Sequence, residues 1–374
     1  APTATASLES AIQRLCPAQP EVSLDELGLD PNSRLFVLPS GDKTRTIWGL
    51  LGSDQVLRPF KNTTFTGKPT FSPDISPNQR WLAFYARNNS GGDLWISSID
   101  GSKQWIARGN LDRPYTTRWV TNQEMIVFDQ RREDWGMTTT FRLNPFTGEI
   151  APVDQVYLAS DYVYAFSPDG MQVIYLANEP PLSPPYSWKL SDYTTSEAHR
   201  IFPWASGRTT RFENLSVHWG STGISIAVMD DTGFDLALAL PTSSFEKNEV
   251  PFIHFPVEQG QTWAVNWWSA GGRLVLLTQG FLDATSETSR LPRVCLLNAT
   301  RQTLYDLCLP TEDLSIGMAF TYASADERFL AWPATKGGAS GTVVWEVATG
   351  RRAWIPGVEV IGWAELDGNA TVSP

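Results

Sequence analysis

Three histidines, His199, His218 and His254, are the only imidazoles in 374 residues, and they bound the chemistry open to this chain. Nucleophilic catalysis needs a base beside a serine or cysteine, most often a histidine. No G-x-S-x-G elbow occurs, and no two histidines have metal-ligand spacing. Paired carboxylates, the raw material of glycoside cleavage, occur at Glu133-Asp134 and Asp230-Asp231, but both pairs stand among turn residues just past apolar runs. The phosphate-cradling patterns G-x-G-x-x-G and Walker A are missing, as is the calcium loop D-x-[DN]-x-[DN]-G. The expectation is therefore no catalytic residue, no cofactor and no metal, hence no enzyme.

Cysteine and charge narrow the setting. Cys16, Cys295 and Cys308 lack C-x-x-C spacing, so neither a zinc site nor a thioredoxin-type motif is supported. Cys295 and Cys308 flank the turn Asn298-Ala299-Thr300 and are expected to be near neighbours. A bridge from Cys16 to either would pin the N-terminal segment to the body, and any bridge leaves one thiol over. The formal net charge is −11 and the pI about 4.8, without a basic run, which argues against nucleic acid as a partner. No apolar stretch is long enough to span a membrane. Ala1-Pro2-Thr3-Ala4-Thr5-Ala6 resembles a small-residue tether, and five N-x-S/T triplets begin at Asn62, Asn88, Asn214, Asn298 and Asn369. That excess of candidate glycosylation sites points to an extracytoplasmic protein: secreted, periplasmic or at the cell surface.

The elements that would position any site come from a repeat. FSPDGMQVIY at residues 166–175 combines an aromatic residue, a Ser-Pro-Asp-Gly turn and a run of apolar residues. Related stretches occur at 29–38, 75–84, 119–128, 219–228, 268–277 and 323–332. Their last apolar residues, Leu38, Phe84, Phe128, Tyr175, Val228, Leu277 and Trp332, are separated by 46, 44, 47, 53, 49 and 55 residues. That spacing suits four-stranded blades. A second hairpin follows in several units, as in Leu94-Trp95-Ile96 before Asp100-Gly101 and Val343-Val344-Trp345 before Thr349-Gly350. The spacing predicts an all-β, seven-bladed β-propeller over 26–366, with a C-terminal tail at 367–374. Val358-Glu359-Val360-Ile361-Gly362-Trp363-Ala364 is expected to close the ring as the first strand of the first blade. The alternative gives that strand to Glu26-Leu27-Gly28-Leu29. Residues 1–25 read as an ordered arm or brief helix, with Leu8, Ile12 and Leu15 at helical spacing.

Ser167-Pro168-Asp169-Gly170 before Val173-Ile174-Tyr175, and Ser76-Pro77-Asn78-Gln79 before Leu82-Ala83-Phe84, resemble the repeat of the TolB-type, or WD40-like (PD40), β-propellers. In other copies the turn has drifted, to Val-Thr-Asn-Gln at 120–123 and Gly-Ser-Thr-Gly at 220–223. The resemblance implies architecture and leaves activity open, because the turn residues serve the fold.

Residues just ahead of each first turn, Arg118, His218 and Trp267, are the candidates for a channel-mouth binding site. His218 suits a hydrogen-bonded structural role better than catalysis. The proline-rich excursion Glu179–Trp188 and the residues beyond it offer Tyr186, Trp188, Tyr193 and Trp204 as a candidate interface loop. The expected function is a non-enzymatic protein-binding or scaffold module of a cell-surface or envelope assembly, including assembly with itself. The alternatives are a carbohydrate-binding or glycan-cleaving propeller, and an accessory propeller for a separate peptidase.

Overall fold

Runs such as Leu35-Phe36-Val37-Leu38 and Leu82-Ala83-Phe84-Tyr85 are apolar at every position, which a strand tolerates only when both of its faces are covered. The computed structural model describes residues 13–14, 21–40, 48–60, 73–87, 91–111, 114–130, 138–152, 163–167, 172–177, 187–192, 198–201, 214–220, 223–230, 233–239, 252–256, 261–269, 274–281, 293–298, 303–309, 313–316 and 321–366. Its strands are numbered along the chain. A two-residue β1 (Gln13–Arg14) precedes β2 (Ser33–Pro39), β3 (Gly49–Leu51) and β4 (Leu57–Pro59). Next come β5 (Asp74–Ile75), β6 (Trp81–Arg87), β7 (Gly92–Ser98) and β8 (Gln104–Leu111). Then follow β9 (Pro114–Trp119), β10 (Met125–Gln130), β11 (Thr138–Leu143) and β12 (Ile150–Pro152). The middle of the chain forms β13 (Val163–Phe166), β14 (Gln172–Ala177), β15 (Ser187–Asp192) and β16 (Ala198–Ile201), then β17 (Asn214–Gly220), β18 (Gly223–Asp230), β19 (Gly233–Ala239) and β20 (Phe252–Pro256). After them run β21 (Gln261–Trp268), β22 (Leu274–Phe281), β23 (Arg293–Asn298) and β24 (Thr303–Asp306). The last group is β25 (Leu314–Ile316), β26 (Tyr322–Ala323), β27 (Phe329–Lys336), β28 (Ala339–Glu346), β29 (Arg352–Pro356) and β30 (Val358–Glu365).

These strands make seven sheets among the described residues, in which neighbours along the meander pair antiparallel. The chain divides into two compact units. One, Ala1–Pro17 with Asp154–Glu312, holds the sheets β13–β16, β17–β20 and β21–β24, the last extended by β1. The other, Ala18–Val153 with Asp313–Pro374, holds β5–β8, β9–β12, β25–β29 and the sheet ordered β30-β2-β3-β4. In that last sheet Ser33 lies opposite Glu365 and Leu35 opposite Trp363. The first strand of the first repeat thus comes from the far end of the chain. Glu26–Gly28 instead forms a turn, in which Ser23 and Glu26 bond each other. Leu24, Leu27 and Leu29 drop from it into the core beside Phe329.

Cores lie between facing sheets, and strand alternation distributes residues to them. In β2, Leu35 and Val37 join Phe329, Ala331 and Val344, whereas Phe36 and Leu38 join Leu82 and Phe84. In β6, Leu82 and Phe84 face that second cluster, whereas Ala83 and Tyr85 pack with Trp119, Met125 and Val127. In the other unit, Trp263, Trp268, Val275, Leu277, Cys295 and Leu297 pack against Ala227.

The recurrent turn rests on one residue. Its serine carries it. Ser76 Oγ accepts the Trp81 N–H at 3.0 Å, Ser167 the Gln172 N–H at 2.8 Å, Ser269 the Leu274 N–H at 2.9 Å and Ser324 the Phe329 N–H at 3.0 Å. In each case the serine N–H also donates to the carbonyl five residues on. All four serines are buried, so the hydroxyl replaces water at a backbone group that has none. Ser98 repeats the arrangement with Lys103 between β7 and β8. The fourth turn residue is left-handed, with φ 59° at Gln79 and 56° at Glu327, which explains glycine in the cleanest copy.

The arm before residue 21 is described only at Gln13 and Arg14, which are extended and pair with β24. Cys308 is disulfide-bonded. Cys295 is a buried free thiol, which burial and then Asp306 push up to about 12. A Cys295–Cys308 pair does not form, although Cys308 lies just past β24, the strand that pairs with the one holding Cys295.

Candidate interaction surface

The first strands of the repeats align at one register position. Arg118 faces Ile126, His218 faces Ser225 and Trp267 faces Leu276, each one step before the turn-flanking pair. The same step in the second repeat is Asp74, opposite Ala83, a residue the sequence reading passed over. Asp74 and Arg118 stand on β5 and β9 of one unit. Trp119 joins them, its N–H donating to Asp74 Oδ2 at 2.8 Å and its Nε1–H to the Asp74 carbonyl at 3.2 Å. Burial pushes the Asp74 carboxyl up to about 6, against the Trp119 N–H and the positive Arg118, which pull it down. Burial likewise lowers Arg118, opposed by Asp74, although the Arg118 side chain still reaches solvent. Asp74 and Arg118 thus attract each other electrostatically beside the Trp119 N–H that the acid accepts.

The other two channel-mouth candidates belong to the other unit. His218 is half-buried and stacks on Trp268, with ring centroids 5.8 Å apart and planes at 13°. Trp267 is half-buried beside a register shift in β21. Of the interface-loop candidates, Trp188 lies in β15 opposite Leu176 and Ile201, and Tyr186, Tyr193 and Trp204 lie outside the described residues. Among the sequons, Asn214 opens β17 and Asn298 closes β23 opposite Leu274 and Thr303. Asn62, Asn88 and Asn369 lie outside the described residues. Among those residues no group of His, Cys, Asp and Glu side chains is placed to hold a metal.

An aromatic shelf on the four-sheet unit escaped the sequence reading. Trp81 meets Trp105 edge-on at 5.5 Å and Phe146 at 5.1 Å, and Trp105 lies 5.8 Å from Phe146. Phe146 is 41% exposed, as large an exposure as that of Ile150 in β12, and Ile106 in β8 reaches 48%. The turn that presents Phe146 is fixed from several sides. Asn144 Oδ1 accepts the N–H groups of Phe146 and Thr147 at 3.0 and 3.2 Å, and Trp105 Nε1–H donates to the Pro145 carbonyl at 2.9 Å. Gly148 closes the turn at φ 76°. The available signal was a phenylalanine inside the turn Asn144-Pro145-Phe146-Thr147-Gly148, where polar residues are usual.

No protein-family model and no curated protein matches the sequence. Solved structures do. The β-propeller domain of the Trilobed protease from Pyrococcus furiosus, described by an open velcro topology, aligns over 87% of this chain and 92% of its own, at 11% identity and a TM-score of 0.53. A prolyl endopeptidase aligns over 77% of this chain and 43% of its own, at 12% identity and a TM-score of 0.53. TolB from Acinetobacter baumannii aligns over 89% and 66%, at 10% identity and a TM-score of 0.47. This chain thus spans just under two thirds of TolB and under half of the endopeptidase. With the antiparallel four-stranded sheets, the similarities to the Trilobed protease domain and the endopeptidase define an all-β fold of the β-propeller class. At these identities they carry the fold alone. No helix among the described residues is long and apolar enough to cross a membrane.

Proposed function

We propose that the protein is a TolB-type, seven-bladed propeller closed through β30, and that it serves as a non-enzymatic protein-binding or scaffold module of a cell-surface or envelope assembly. The observation that carries this reading is the Phe146 shelf. One side of an apolar ring is open to solvent, and the ring is held in one orientation by tryptophans and a capped turn. The exposed part of the ring adds apolar burial when a partner covers it, and the fixed geometry lowers the entropy lost on binding. The pairing of β30 with β2 supports closure, and the disulfide at Cys308 together with the sequons supports an oxidising compartment. Photo-crosslinking tests the reading: a benzoylphenylalanine at position 146, in protein expressed in its source, yields an adduct of one defined mass, a partner subunit or a second copy. The same group at exposed Asp25 yields none. Equal labelling at both positions overturns the assignment.

The Asp74–Arg118 pair favours a second reading, a carbohydrate-binding site at the channel mouth, since sugars suit an acid and a guanidinium beside an aromatic ring. A glycan array with the wild type and Arg118→Ala decides it. Binding that disappears in the variant supports this reading, and no binding by the wild type removes it.

A further inference from the structure

We propose that the disulfide partner of Cys308 is Cys16, so that the N-terminal arm is covalently stapled as an extra strand along the outer edge of the β21–β24 sheet. The chain has three cysteines, and of these Cys308 is bonded and Cys295 is free, which leaves Cys16. The strand register points to the same edge. β1 runs parallel to β24, with Gln13 opposite Tyr305 and Arg14 opposite Asp306. In sequence, position 16 follows Arg14 by two residues, as position 308 follows Asp306 by two. The backbone around Cys308 explains why this cysteine, and not Cys295, is available. Leu307 N–H donates to the Val294 carbonyl at 2.9 Å, and Val294 N–H donates to the Leu309 carbonyl at 3.0 Å. Just past β24, Leu307 and Leu309 thus share one partner residue, and Cys308 between them bulges outward at φ 53°. Its own N–H turns to Asp306 Oδ1 at 2.8 Å. Cys295, by contrast, is held in β23 between Leu277 and Asp306, inside the core.

The bond forms by thiol–disulfide exchange. One thiolate attacks a sulfur of an oxidised dithiol carrier, releasing the first carrier thiol, and the second cysteine displaces the other carrier sulfur from the mixed disulfide. Two protein thiols lose two protons and two electrons, and the carrier gains both as a dithiol. The staple covers a strand edge that would otherwise be open to pairing with other chains. Because the loop it closes runs from residue 16 to residue 308, it also restricts the unfolded state strongly.

Peptide mapping of the intact wild-type protein tests the assignment without any variant. The protein is unfolded in excess alkylating agent, digested with trypsin without reductant and analysed by mass spectrometry. Cleavage after Arg301 separates Cys295 from Cys308, and cleavage after Arg14 releases the Cys16 peptide. The expected result is a cross-linked pair containing Cys16 and Cys308, with alkylated Cys295. A Cys295–Cys308 link, three alkylated thiols, or a disulfide joining two chains overturns it. Hydrogen exchange adds a structural arm. In Cys16→Ser the amides of β24 exchange roughly tenfold faster or more while those of β2 keep their wild-type rates, as they do throughout in Cys295→Ser. Unchanged β24 amides in Cys16→Ser would show that no staple holds that edge.

Discussion

Ser324 carries the repeat in a single atom. Its hydroxyl accepts the buried N–H of Phe329 and donates to Asp326 Oδ1 at 2.6 Å, so Ser324→Ala strands a backbone donor where water cannot reach. A loss of about 1–3 kcal/mol is expected from urea unfolding, and less for Asp326→Ala at the exposed side of the same turn. Asp74 predicts a pH effect of definite sign. Its folded pKa of about 6 exceeds the ordinary 3.8, so between those values the native protein binds a proton that the unfolded chain does not. Stability therefore falls as pH rises from about 4 to 6, and levels off on either side. Asp74→Asn keeps an acceptor for the Trp119 N–H. It should raise stability at pH 7 by on the order of 1–2 kcal/mol and flatten that part of the profile, as thermal unfolding across pH would show. A destabilised variant at pH 7 would mean that the Arg118 attraction outweighs burial. Arg118 was legible because it stands before a tryptophan at a recurring position. Asp74 was not, because β5 is two residues long and shows no alternation.

Strands follow from short-range patterns more completely than their partners do. The Ser-to-residue-five bond keeps each turn at fixed length, so copies such as Ser269–Leu274 stay recognisable after the proline and aspartate have gone. Where the turn itself changes, as at Val120 bonded to Glu124, only the flanking apolar runs remain to mark the unit. The shelf was hidden for a related reason, since Asn144 and Gly148 gave so strong a turn signal that Phe146 between them read as loop. Pairing across the chain is a different matter. The β30–β2 contact could be anticipated from a strand left over at one end and a strand missing at the other. The β1–β24 register could not, because no periodicity links residues so far apart. The β30 strand also gives a packing test. A Cβ at Gly362 would fall on the Ile75 side chain of β5, so Gly362→Ala should cost about 1–3 kcal/mol. Pairing it with Ile75→Ala should return part of that loss in a denaturant double-mutant cycle, whereas strict additivity would mean that β30 does not bear on β5 there.

Seven sheets among the described residues and a net charge of −11 describe an acidic chain of the β-propeller class. The class of fold was legible because the blade-length repeat spans the chain. Its partner was not, because a propeller presents its function on surface residues that the repeat does not constrain. Phe146 and Asp74 lie on such surfaces, and neither was recognised until strands distant in sequence came together. Native mass spectrometry of the protein isolated from its source puts the central claim, a binding or scaffold module, to the most direct test. The account predicts a stoichiometric higher-order species, with a partner subunit or with further copies, that Phe146→Ser reduces to the single chain without loss of folded structure. A wild-type protein that flies only as a monomer under the gentlest conditions would contradict it.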